Sequence, residues 1–266
     1  MTQLVNAVFF LTVIAYSAAS TLFFLDLIRP GAKTAEAAPR VLAIAGVFHL
    51  LHITGASFLI NVCPVESLHF ALSFSALLAV GAYAVLRRRL RVDALGALLG
   101  PLALAFLIGA EFVGERPASS IGAEPLLILH IAANVFGVGL FLLAGASGAF
   151  YVVEERRLKQ GRFGLSSHLP PLASLDRATH RLLLAGFPLL TFGIVTGSLF
   201  IGHLGAATGP DVARLLLGYT SWLVLGVVLI ARRLVGWSGK RAAWGTLAGV
   251  GCVLLVMLVY VVRVPV

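Results

Sequence analysis

Five histidines of this sequence lie in or beside long apolar runs, in the halves of those runs that are remote from the arginines. His130 opens one run, and His203 closes the next. His49 and His52 are one helical turn apart and therefore share one face of a helix. His69 follows the start of a further run. Because ionisable side chains inside a membrane are costly and rarely face lipid, this grouping indicates a functional site near one membrane face.

Two converging imidazoles suit the axial ligation of haem iron, since neutral imidazole is a standard haem ligand and a histidine pair fills both axial positions. Zinc is less favoured, because the sequence offers no cysteine pair and its glutamates are scattered. A proton relay of histidine and glutamate is also physically allowed. Arg116 and Arg214 are candidates to pair with haem propionates, and each is equally well read as a solvated loop charge.

A structural role stays open for most of these histidines. His49 or His52 alone can hydrogen-bond a carbonyl of a neighbouring helix, which is the commoner role of a single histidine inside a membrane. His69 and His203 can equally be ordinary residues of the membrane interface.

The composition is that of a membrane protein. Hydrophobic residues make up 59% of the chain and charged residues 12%, against about 25% charged residues in soluble domains. The mean hydropathy is +1.00. A net charge of +9 suggests nucleic acid in a soluble protein, but here the basic residues fall in short loops between apolar runs. We therefore expect no nucleic-acid partner and no sizeable soluble domain.

The apolar runs predict an all-α fold, a polytopic membrane helix bundle of about eight transmembrane helices in a single transmembrane domain over residues 1–266. The first run is read as a retained span rather than a cleaved signal peptide. Prolines inside the fourth and sixth runs, Pro101 and Pro188, predict kinks. The spans are predicted at about residues 4–28, 41–62, 65–86, 92–113, 125–153, 182–203, 212–230 and 244–262.

The basic residues predict the orientation. All but three of the 20 lysine and arginine residues fall in the loops after the first, third, fifth and seventh spans. The exceptions are Arg116, Arg214 and Arg263. Since basic loops stay in the cytoplasm, we predict that both chain termini lie outside, on the periplasmic face of a bacterial inner (plasma) membrane.

Several stretches resemble a known family. One predicted helix opens with a histidine and ends in a charged stop, and it reads PLLILHIAANVFGVGLFLLAGASGAFYVVEERRLK. It is followed by the short segments PPL, SLDR and GFPLLTFGIVTG. The next helix and its turn read TSWLVLGVVLIARRLVGWSGKRAAW. These features resemble the cytochrome c assembly family of membrane proteins, which includes CcsA, CcmC and the HemX/YpjD proteins. The family's tryptophan-rich outer loop is absent, because the corresponding segment reads HLGAATGPDVARLL. This departure makes the HemX/YpjD branch the nearest.

The resemblance implies haem b as cofactor and His130 as an iron ligand. The second axial ligand is expected from the other histidines of the grouping, with His203 or His69 first and His52 and His49 as further candidates. We therefore expect a non-enzymatic protein that holds or passes haem at the outer face, in cytochrome c assembly or haem homeostasis. Expected partners are haem, membrane lipid, proteins of cytochrome c maturation or haem biosynthesis, and a second copy of the chain.

Three alternatives stay open. The first is a HemX-type regulator of haem biosynthesis that acts through the predicted cytoplasmic loop at residues 154–181. The second is a secondary transporter, because Pro101 and Pro188 resemble the interruptions of transporter helices. The third, a di-haem electron-transfer subunit, is disfavoured because the inner halves of the spans carry no histidine.

Overall fold

The structure is a computed structural model that describes residues 2–29, 31–59, 68–90, 92–112, 125–161, 170–201 and 209–261. Within these ranges the chain forms α-helices and one short 3-10 helix, Asp93–Leu95, and no strand, which confirms the predicted all-α class. The α-helices are α1 (Thr2–Ile28), α2 (Ala32–Leu59), α3 (Leu68–Leu90), α4 (Gly96–Phe112), α5 (Pro125–Lys159), α6 (Leu172–Ile201), α7 (Gly209–Leu234) and α8 (Lys240–Val261).

The helices have the length and composition of membrane spans. Among the described residues, seven helices are long and apolar enough to cross a bilayer: all the α-helices except α3, with α4 counted together with the 3-10 helix over residues 93–112. Large apolar side chains are exposed along them; Phe10 is 58% exposed, Ile14 64% and Leu223 59%. A helix satisfies its backbone hydrogen bonds internally and can therefore present such side chains to lipid. The prediction of a polytopic helical membrane protein is confirmed.

Two predicted loops are partly helical, and these predictions were wrong in their bounds. The predicted spans 4–28 and 41–62 leave a loop between them, but α2 begins at Ala32 and runs through Pro39. The predicted loop 154–181 is shortened at both sides, because α5 continues to Lys159 and α6 already begins at Leu172. An apolar run marks only the part of a helix that faces lipid, and a helix continues into water where its residues turn polar.

The two helices with internal prolines are continuous. Pro101 lies inside α4 and Pro188 inside α6, and neither helix is divided at its proline. The likeness to interrupted transporter helices, on which the transporter alternative depended, is therefore absent from both described helices.

The chain divides into two compact units, residues 1–121 with 154–174 and residues 122–153 with 175–266. The single domain over residues 1–266 stays a prediction. In the first unit α1 packs against α2 and α4, and α3 packs against the same two helices, so that the four helices close a ring. Its fully buried side chains include Tyr16, Leu42, His49, Leu99 and Leu107.

In the second unit small residues set the spacing between helices. A Cβ at Gly145 of α5 would lie 3.0 Å from Val250 of α8, and one at Gly137 would lie 3.5 Å from Leu189 of α6. Helices α7 and α8 also pack against each other, and the Ser221 hydroxyl donates to the Gly249 carbonyl at 2.9 Å. Without a hydrophobic force between helices in lipid, such close approach is what holds spans together.

Candidate functional site

His130 lies in the second turn of α5 and is half-buried. Its Nδ1 is 2.6 Å from the hydroxyl oxygen of Thr196 on α6. Thr196 donates its own hydrogen to the Phe192 carbonyl at 2.7 Å, with a longer approach to the Gly193 carbonyl at 3.3 Å. With its one hydrogen on the Phe192 carbonyl, the Thr196 hydroxyl oxygen accepts from His130 Nδ1–H, and we assign the imidazole tautomer on this basis. This assignment leaves the lone pair of the imidazole on Nε2.

Asn134, one turn further along α5, contacts the other ring nitrogen. Its side-chain amide nitrogen lies 3.2 Å from His130 Nε2 and 2.8 Å from the His130 backbone carbonyl oxygen. An amide NH₂ carries two hydrogens, so it donates to both acceptors. The contact with Nε2 is the longer and therefore the weaker of the two.

Two glycines of α6 make room for these side chains. A Cβ at Gly197 would lie 3.2 Å from His130 Cε1, and a Cβ at Gly193 would collide with Asn134 Oδ1. The spacing of Gly193 and Gly197 indicates a close-packing face from sequence alone. The structure identifies what packs there, namely the His130 and Asn134 side chains of α5.

His49 has a different environment in the first unit. It is fully buried, and its Nδ1 lies 3.0 Å from Tyr16 Oη while its Nε2 lies 2.8 Å from Ser73 Oγ. Both ring nitrogens therefore join helices α1, α2 and α3 through side-chain hydrogen bonds. As an iron ligand, His49 would have to give up one of these bonds inside an apolar core, where an unsatisfied partner is costly.

The structure says less about the other candidate histidines. His52 is 4% exposed, and its ring centroid lies 5.4 Å from that of Phe9. His69 lies in the first turn of α3, but its side chain is outside the described part of the structure. His203 is also outside the described residues. The choice of second axial ligand between His203 and His69 stays a prediction.

Of the two candidate arginines, only Arg214 is described. It lies in the second turn of α7 and is half-buried. The Ser198 and Tyr219 hydroxyls, 2.7 Å apart, join the last part of α6 to the first part of α7, so Arg214 belongs to the same end of the second unit as Thr196. Arg116 is outside the described residues, and a propionate role for either arginine stays a prediction.

At the other end of the second unit, Asp176 joins three segments. Its carboxylate accepts two hydrogen bonds from the Arg232 guanidinium, at 3.0 and 2.6 Å, and one from the Gly239 backbone N–H at 3.1 Å. Asp176 belongs to the SLDR segment and Gly239 to the GWSGK segment. Both segments were recognised only by resemblance, and nothing local in the sequence signals that they meet.

Continuous apolar helices with lipid-facing side chains define a polytopic helical membrane protein. Its polar side chains form separate clusters between the helices, around His130, His49 and Asp176. The chain belongs to the cytochrome c assembly family: the family described as "Cytochrome C assembly protein" matches residues 1–264. The predicted family is therefore confirmed.

Relatives of several names match the chain. The inner membrane protein YpjD of Escherichia coli (strain K12) is 27% identical over 158 residues, 58% of this chain and 59% of YpjD. Protein HemX of Brevibacillus brevis is 26% identical over 197 residues, 73% of this chain and 72% of HemX. Cytochrome c biogenesis protein CcsA of Prochlorococcus marinus (strain NATL2A) is 25% identical over 218 residues, 70% of this chain and 69% of CcsA.

The YpjD and HemX matches bear out the predicted branch of the family. The chain spans less than two thirds of the length of the YpjD proteins that it matches. No solved structure matches it. The predicted location, a multi-pass protein of the inner membrane, is confirmed by the membrane-length apolar helices together with the inner membrane protein YpjD.

Proposed function

We propose that this protein holds or passes haem b at the outer face of the membrane, in cytochrome c assembly or haem homeostasis, and that His130 Nε2 is one axial ligand of the iron. The observation that carries the proposal is the 2.6 Å contact between His130 Nδ1 and the Thr196 hydroxyl, which also lies 2.7 Å from the Phe192 carbonyl and so serves as an acceptor for Nδ1–H. A metal-binding histidine typically donates its other N–H to a fixed acceptor, which sets the tautomer and the ring orientation.

The donor set fits one axial position of a haem. His130 is half-buried at the start of α5, whereas His49 is fully enclosed with both nitrogens hydrogen-bonded. A haem iron would supply a second axial position, for which His203 and His69 are the candidates by sequence. Arg214 would pair with a propionate. In this role the protein carries its cargo and catalyses no reaction.

The family membership and the names of two relatives support the proposal at a coarser level. One relative is named as a cytochrome c biogenesis protein and another as HemX. A role in cytochrome c biogenesis or a HemX-type role would follow for this chain, with haem and maturation proteins as partners.

The first experiment is an absorption spectrum of the purified full-length protein after addition of hemin, with and without dithionite. We expect the wild type to show a sharp Soret band and split reduced bands, and His130→Ala to lose or shift them. His180→Ala is the matched control, because His180 is a histidine of α6 near the helix end remote from Thr196.

The outcomes separate the alternatives. An unchanged spectrum in His130→Ala would overturn His130 as a ligand, and a wild type without hemin binding would overturn the haem function itself. A regulator that acts through residues 154–181 would keep its activity in His130→Ala.

A further inference from the structure

We propose that Thr196 is a positioning residue for haem binding: its hydroxyl oxygen fixes the tautomer of His130, and the Asn134 amide covers Nε2 until iron takes that position. The inference rests on the proposed function and goes beyond it, since it assigns a role to two neutral side chains that would not touch the iron.

The tautomer assigned above makes the Thr196 hydroxyl an acceptor toward the imidazole. Thr196 is 3% exposed, and its oxygen lies 2.7 Å from the Phe192 carbonyl of its own helix, to which it donates its single hydrogen. The 2.6 Å contact with His130 Nδ1 is therefore a short N–H···O bond. Had Nδ1 carried the lone pair, the hydroxyl hydrogen would have two acceptors to satisfy at once.

This bond has an electronic consequence for a bound iron. An imidazole whose N–H is held by an acceptor is a stronger base at the opposite nitrogen. At a bound haem, a more basic Nε2 would stabilise ferric over ferrous iron, so loss of the acceptor would weaken binding of ferric haem and raise the midpoint potential.

Asn134 can leave Nε2 at small cost. Its amide nitrogen makes the shorter bond, 2.8 Å, to the His130 backbone carbonyl, and that bond does not involve the ring. When the lone pair of Nε2 goes to iron, Asn134 loses only the 3.2 Å contact. The amide thus satisfies a ring nitrogen inside the protein without holding it firmly.

The test compares hemin titrations and midpoint potentials of Thr196→Val, Thr196→Ser and Thr191→Val in the full-length protein. Valine has the shape of threonine without the acceptor, and we expect its hemin affinity to fall about 10–100-fold, with a more positive potential. Serine keeps the oxygen and should restore both values. Ser198 of the same helix shows that a serine hydroxyl there also donates to a carbonyl four residues back, at 2.7 Å.

Thr191→Val is the matched control, because Thr191 is on the same helix and contacts Trp222, not His130. Its hemin affinity and potential should equal those of the wild type. A purely structural role for Thr196 would leave the potential of the bound haem unchanged, and that result overturns the proposal. If Thr196→Val does not fold, Thr196→Ala tests the same loss with a smaller side chain.

The two proposals fail separately. Equal haem binding by His130→Ala and the wild type overturns the ligand assignment. Loss of haem in His130→Ala, with wild-type affinity and potential in Thr196→Val, overturns only the role of Thr196.

Discussion

At the scale of single residues, His49 and His130 lie in different environments. Both nitrogens of His49 are bonded to side chains of neighbouring helices, and the ring has no solvent exposure. His130 is half-buried, with one nitrogen held at 2.6 Å and the other contacted at 3.2 Å. His49 therefore suits a role in joining helices, and His130 has the environment that the proposed ligand role requires.

Gly197→Ala tests how closely His130 is held. The added Cβ would lie 3.2 Å from His130 Cε1, so the ring or the helix must move by a few tenths of an ångström, and the bond to Thr196 is distorted. We expect hemin affinity to fall roughly tenfold, at the lower end of the loss seen when a partner of a metal ligand is removed.

Gly218→Ala is the control for this change, because a Cβ at Gly218 of α7 meets no atom within 4 Å. A glycine-to-alanine change in an open helix position is neutral or stabilising, by up to about 1 kcal/mol. Equal hemin titrations for the two variants would contradict close packing of His130 on Gly197.

At the scale of elements, Asp176 connects the start of α6, the end of α7 and the turn before α8. The side chains of Arg232 and Asp176 are 10% and 21% exposed, so the ion pair is largely removed from solvent. Gly239 has a φ of +65°, and a Cβ there would lie 2.6 Å from Tyr151 Oη. Only glycine fits this turn without strain, which brings its N–H to the carboxylate.

Arg232→Gln should destabilise the protein. The change leaves the Asp176 carboxylate without its cation, and breaking a buried pair in this way costs about 3 kcal/mol. We expect the melting temperature in detergent to fall by roughly 5–10 °C. Hemin binding at low temperature should be retained, because His130 lies near the other end of the unit.

The neighbouring Arg233→Gln removes the same charge from an exposed side chain. Its melting temperature should stay close to that of the wild type, since exposed charges contribute about 0–1 kcal/mol. Equal melting temperatures for the two variants would show that the Asp176 contact does not hold these segments together.

At the scale of the whole molecule, basic residues cluster at particular helix ends. They occupy the last turns of α3, α5 and α7, and Lys240 and Arg241 begin α8. Alternating helices with charge at one end are the arrangement from which the orientation was predicted. The orientation stays a prediction; with both termini outside, His130 and Thr196 would lie toward the outer face.

Reporter fusions test this orientation. Alkaline phosphatase, active only outside the cytoplasm, should be active when fused after Ile201 and inactive when fused after Lys159. A fluorescent protein that matures only in the cytoplasm should give the reciprocal result at both positions. The opposite pattern would place His130 at the cytoplasmic face and remove the outer-face part of the proposed function.

The number and order of the helices could be predicted from the sequence. Hydropathy is a local property of the chain, and in lipid each apolar segment must satisfy its own backbone as a helix. The bounds of the helices were harder to predict from the sequence. Helices α2 and α6 begin before their apolar runs, because a helix can continue from lipid into water. The glycine spacing in α6 also predicted a close-packing face, though not the partner of that face.

By itself, then, the sequence determined a helical membrane protein of this family and singled out His130 by resemblance. Only the tertiary structure decided which side chains meet. His130 and Thr196 are 66 positions apart, and Asp176 and Gly239 are 63 apart. No local pattern encodes such pairs, because they depend on the rotation and depth at which separate helices pack, and these are set by the small residues between them.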